Sequence, residues 1–161
     1  MFNVSTELVK ELSSRRLTIS TAESCTGGLI AKSITDISGA SEVFWGGVVS
    51  YDNSVKENVL RVKHETLTSY GTVSAQTARE MAEGVRSLCK TDIGISTTGI
   101  AGPGGGTKEK PVGTVYVAIA TKDGVSSTLL QINPQLSRDE IRQSTVCTLI
   151  SMVVEKIRQI Y

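Results

Sequence analysis

The 161-residue chain is predicted to be an α/β protein, a three-layer α/β/α sandwich built on a mostly parallel sheet. Three observations lead there. Short β-branched runs alternate with stretches of helical period from one end to the other. The last two β-rich runs are separated only by Lys122-Asp123-Gly124, a hairpin signal that puts one antiparallel pair beside the parallel strands. The composition, 39% apolar and 20% charged, is that of an ordinary packed domain, and the length suits a single one spanning 1–161.

Each element has its own justification. Residues 5 to 16 read as a first helix, with Val9 and Leu12 on one side and Arg15-Arg16 at the C-terminal end, where cations suit the helix dipole. A strand at about 17–22 leads through Glu23-Ser24-Cys25 into a helix at about 26–36, which Leu29, Ile30 and Ile34 mark by their spacing. After Ser38-Gly39, residues 43 to 51 form a β-rich run ending at Tyr51, and a short helix follows through Val55, Val59 and Leu60. Ser74 opens a clearer helix, with Ala78, Met81, Ala82, Val85, Leu88 and Cys89 on the 3.6-residue period. A third strand, 93–98, runs into a Gly/Pro-rich loop, 99–113, and loops of that length in a compact domain are usually functional or disordered. Strands at 114–121 and 126–132 form the hairpin. The last helix begins with Ser137 and Glu140, a capping box, and buries Val146, Leu149, Ile150, Val153, Val154 and Ile157.

Composition also excludes functions. A formal net charge of +1 gives no basic field for nucleic acid. No apolar stretch reaches the length of a membrane span, and Met1 to Ser5 lack a signal-peptide pattern, so the expected location is the cytoplasm, with neither nucleic acid nor membrane as partner. Cys25, Cys89 and Cys147 are odd in number and widely spaced, which indicates neither a disulfide framework nor a zinc cluster. His64 is the sole histidine, so a Ser-His-Asp triad is not expected, and no metal or cofactor is called for.

In parallel sheets ligands bind beyond the carboxyl ends of the strands. Ser24 follows the first strand, Tyr51 ends the second and Thr98-Gly99 ends the third, so the three should converge. Ser24 is a candidate nucleophile or a helix cap, and Cys25 competes with it as a thiol near a helix N-terminus, although the residue beside a nucleophile in a turn usually points elsewhere, often into the core. The Cys25 and Thr26 N–H groups suit an oxyanion in either case. A serine hydroxyl needs a base. Lys56 is the lysine best placed to reach the crevice, its ordinary alternative being a solvated side chain. Glu23 either holds Lys56 or caps the turn. Tyr51 either packs on the sheet or relays a proton. The loop from Gly99 is a phosphate cradle or a plain connection, and is not a Walker A loop, because no lysine follows the right glycine and a strand comes next. Arg138 and Arg142, one turn apart, form a pair suited to phosphate or carboxylate, the ordinary alternative being two solvent-exposed side chains.

Ala22 to Gly28, Tyr51 through Asn53 to Lys56, Tyr70 to Ser74, Gly99 to Pro103, and Lys110 to Val115 resemble, in order over nearly the whole chain, the CinA C-terminal domain. The resemblance implies a five-stranded mixed sheet with strand four antiparallel. It further implies a nicotinamide-nucleotide amidohydrolase that converts nicotinamide mononucleotide to nicotinate mononucleotide and ammonia in pyridine-nucleotide salvage, with Ser24 as nucleophile, Lys56 as general base and Tyr51 as its helper. The substrate would meet Cys25, Thr26, Gly27, Gly28, Thr98, Gly99, Ile100, Ala101, Gly102, Pro103, Arg138 and Arg142. A homo-oligomer and a stand-alone domain are expected, without the molybdopterin-binding-like N-terminal domain of some members. Where the family has Gly-Asp-Arg before the last helix, this chain has Leu136-Ser137-Arg138, with Arg142 following. The alternative is a non-catalytic nucleotide-binding or protein-interaction module linked to competence or DNA-damage responses.

Overall fold

In the computed structural model, which describes residues 2–161, five strands form one mixed sheet in the order β2-β1-β3-β4-β5. β1 (Ile19–Glu23) pairs in parallel with β2 (Phe44–Val49) on one side and β3 (Ile93–Gly99) on the other. β4 (Thr114–Thr121) is antiparallel to β3 and to β5 (Gly124–Gln131), so strand four is the one reversed strand.

Helices cover both faces. α1 (Phe2–Arg15), α2 (Leu29–Thr35) and α7 (Arg138–Ile160) lay Leu8, Leu12, Ile30, Ile34, Leu149 and Val153 over Ile19, Ile95 and Val117 in the main core. All six stripe residues expected in the last helix are buried there, and Ser137 and Glu140 make both bonds of the capping box. The opposite face is covered by α6 (Ala75–Cys89), with α5 (His64–Tyr70) against it; α4 (Asn53–Asn58) follows β2. Here the sheet offers small residues. A side chain at Gly94 would put Cβ 2.3 Å from the Ala82 carbonyl oxygen, so glycine is what lets α6 lie flush on the strand.

Several boundaries differ from expectation. The helix after β1 begins at Leu29 rather than near Thr26, because Gly27 (φ +58°) and Gly28 (φ +94°) hold a left-handed turn that a helix cannot include. β2 ends at Val49, which leaves Tyr51 in the connection to α4. Two short helices, α3 (Ala40–Val43) and α5, are unanticipated; each is too short to develop a helical apolar stripe. In the α6 stripe, Leu88 is the exception, exposed near the helix end. Among the described residues, no helix is long and apolar enough to cross a membrane.

Candidate active site at the carboxyl ends of the parallel strands

The site grows from the turn after β1. The Ser24 N–H donates to the Thr97 carbonyl of β3 at 3.0 Å, and the Gly27 N–H donates back to the Ser24 carbonyl at 3.1 Å. This closes a tight turn with the Ser24 side chain partly open to solvent. The neighbouring Cys25 side chain is buried in the main core, and that burial pushes its thiol up to about 11. A protonated, enclosed thiol is a poor nucleophile, which leaves the hydroxyl.

Lys56 comes from α4. Asp52 caps this helix by accepting the Ser54 N–H at 2.8 Å, which fixes where the first turn begins and aims Lys56 back toward the sheet. The lysine is wholly buried, at 0% exposure. Its Nζ lies 3.3 Å from Ser24 Oγ and donates to the Ser50 carbonyl at 2.5 Å. Burial lowers its pKa, and the Asp52 carboxylate opposes that shift. The register of β2 against β1 accounts for the meeting, since Val49 stands opposite Glu23 and the Ser50 N–H then donates to the Glu23 carbonyl at 2.8 Å.

Tyr51 is 62% exposed, and its phenol oxygen accepts from Arg138 at 2.7 Å. The Ser50 carbonyl, rather than the tyrosine, holds the lysine amine. Arg138 also donates to the Gly102 carbonyl at 2.7 Å, and Arg142 donates to the Thr26 carbonyl at 2.7 Å. The two arginines thus join the start of α7 to the loop from Gly99 and to the nucleophile turn. Glu23 resolves toward capping: its carboxylate accepts from the Thr26 hydroxyl and from the N–H groups of Gly28, Ile30 and Ala31.

The loop from Gly99 is partly closed on itself. The Ile100 N–H is taken by the Thr114 carbonyl and the Gly113 N–H by the Ile100 carbonyl. Ala101 packs into the core, while Gly102 is buried and Pro103 exposed. Thr98 is buried, with its hydroxyl donating to the Thr72 carbonyl at 2.8 Å. His64 lies exposed against Glu57 at 2.8 Å.

The family model described as the CinA C-terminal domain matches residues 2–157. The chain belongs to the CinA C-terminal domain family. A Thermoanaerobacter sp. (strain X514) relative named for competence-damage induction is 56% identical over 146 residues, 91% of this chain and 35% of its own length. A CinA-like protein of Cyanothece sp. (strain PCC 7425) is 49% identical over 150 residues, 93% of this chain and 36% of its own. This chain therefore spans about a third of these CinA relatives. Among solved CinA-type structures, a competence/damage inducible protein of Agrobacterium tumefaciens superposes with TM-score 0.93 at 41% identity, covering 96% of this chain and 93% of that one. A competence damage-inducible protein A from Klebsiella pneumoniae superposes with TM-score 0.95 at 29% identity, covering 99% and 98%. The mixed five-stranded sheet is the CinA fold.

Sequence reasoning overlooked the Ser50 carbonyl and the Thr97 hydroxyl. A backbone carbonyl has no residue signature. Thr97 had one, the run Ser96-Thr97-Thr98 of three hydroxyls at a strand end, all buried and all hydrogen-bonded.

Proposed function

We propose that this CinA domain is an amidohydrolase in which Ser24 is the nucleophile and Lys56 the general base. The observation that carries the reading is the buried Lys56 amine 3.3 Å from the Ser24 hydroxyl, with its pKa lowered by burial. A neutral amine keeps one N–H on the Ser50 carbonyl and turns its lone pair to the Ser24 O–H. Ser24 Oγ attacks the carboxamide carbon while its proton passes to Lys56, and the negative oxygen meets the Cys25 and Thr26 N–H groups. The Lys56 ammonium then protonates the departing nitrogen, the C–N bond breaks and ammonia leaves an acyl-serine. Water, deprotonated by Lys56, attacks that ester; the acyl C–O bond breaks, Lys56 returns the proton to Ser24 Oγ, and the acid leaves as its carboxylate.

The substrate named by the family resemblance is nicotinamide mononucleotide, and Arg138 and Arg142 are the groups suited to its phosphate. A cytoplasmic, self-associating enzyme of pyridine-nucleotide salvage belongs to the same reading. A binding module linked to competence or DNA damage needs no base beside Ser24, so the buried pair favours catalysis.

Purified protein incubated with nicotinamide mononucleotide is expected to release ammonia. Ser24→Ala is expected to abolish release and Cys25→Ala to retain it. The opposite pattern would falsify the serine assignment, and no release from any pyridine nucleotide would reject the substrate.

A further inference from the structure

Glu23 is almost completely buried, at 1% exposure, and no cation pairs with it among the described residues. Its carboxylate is instead ringed by donors. Oε2 accepts from the Thr26 hydroxyl (2.7 Å) and the N–H groups of Gly28 and Ile30 (both 3.0 Å), and Oε1 accepts from the Ala31 N–H (2.8 Å). A carboxylate only accepts, so the Thr26 proton points at Glu23. The Thr97 hydroxyl, 2.8 Å from the Thr26 oxygen, must then donate to it. The chain of bonds has a single direction, from β3 through the turn to the carboxylate. A charge buried without a cation is costly unless donors surround it, and here the first N–H groups of α2 do so.

We infer that Glu23 is a positioning residue: with Thr26 and Thr97 it fixes the turn that carries Ser24 and leaves two turn N–H groups for the reacting oxygen. This rests on the reading of Ser24 as nucleophile. Of the N–H groups from Ser24 to Gly28, those of Ser24, Gly27 and Gly28 are taken by the Thr97 carbonyl, the Ser24 carbonyl and Glu23. Among the described residues neither the Cys25 N–H nor the Thr26 N–H is taken by an acceptor on another residue. Glu23 also fills the start of α2 with its own negative charge. Glu23 makes no bond to Lys56, whose amine reaches Ser24 Oγ and the Ser50 carbonyl, so Glu23 acts on the turn rather than on the base.

The test is covalent labelling of the intact chain with a fluorophosphonate, in which Ser24 Oγ bonds to phosphorus, fluoride leaves and Lys56 takes the proton. Mass spectrometry is expected to locate the label on Ser24. Glu23→Gln places an NH2 among donors and is expected to slow labelling at least about tenfold, with the pH midpoint of the rate unchanged. Thr97→Val is expected to slow labelling likewise, and Thr97→Ser to recover most of the loss because the hydroxyl is restored. Native-rate labelling in folded Glu23→Gln, a moved midpoint, or equal rates for Thr97→Val and Thr97→Ser would each overturn the assignment. So would an unlabelled Ser24 in the native chain. If Glu23→Gln does not fold, the two Thr97 variants decide. Normal labelling without ammonia release from nicotinamide mononucleotide rejects the substrate alone.

Discussion

Lys56 has no exposed surface and sits on a helix of only six residues, so its position depends on what surrounds it rather than on its own element. Burial favours the neutral amine, the form a base requires. Lys56→Met is expected to lower kcat/KM for amide hydrolysis by about 10²- to 10⁴-fold, the usual worth of a general base, as measured by ammonia release. In the unsubstituted chain kcat/KM should rise with pH through a midpoint below the ordinary lysine value of about 10.4. An acid limb that survives in Lys56→Met would show that another group titrates. Stability carries the same sign. Between the lowered folded pKa and the ordinary unfolded one, the unfolded chain holds a proton that the folded chain has released. Stability therefore rises with pH across that window and is lost as pH falls through it. Denaturant melts at several pH values should show this slope, and Lys56→Met should remove it.

At the scale of elements, the contacts that position the site are a close approach and a cap. Gly94 lets α6 rest against β3, and an added Cβ would lie 2.3 Å from one backbone carbonyl and 2.5 Å from the Arg86 Cβ. Gly94→Ala is expected to cost about 1–3 kcal/mol, the range for overpacking, because a helix backbone cannot give way as a side chain can. Urea unfolding measures it, and a change within error would mean that α6 shifts freely. The Ser137–Glu140 capping box starts α7 one residue before Arg138. Ser137→Ala should cost about 1 kcal/mol and fray the turn that carries Arg138. If Arg138 holds a phosphate, the variant also raises KM for the mononucleotide more than it lowers kcat.

Over the whole molecule, segments distant in sequence are tied to the long loop. Lys110 donates to the Val73 carbonyl at 2.6 Å, and the Thr98 hydroxyl donates to the Thr72 carbonyl, so the connection between α5 and α6 is fastened at both ends of residues 99–113. Lys110→Met is expected to speed hydrogen exchange at the Thr107 and Gly113 amides, both bonded within the loop, with little change in global melting. Unchanged exchange there would show that the loop's own hydrogen bonds suffice. The carboxyl ends of β1, β2 and β3 lie side by side, and there Ser24, Ser50 and Thr97 meet although they are separated by the full connections between strands.

The sequence by itself determined the alternation of strands and helices, the hairpin at Lys122-Asp123-Gly124, the α7 stripe with its cap, and a polar turn at Ser24. Each of these is written in spacing or in turn chemistry, which are local. Tertiary structure decided that Cys25 points into the core and that Glu23 caps α2 instead of holding Lys56. It also decided that a carbonyl at Ser50 holds the lysine while Tyr51 turns to Arg138. These choices depend on which strand lies beside which and in what register, and on which side chains lose their water when they do. No periodicity along one segment encodes that.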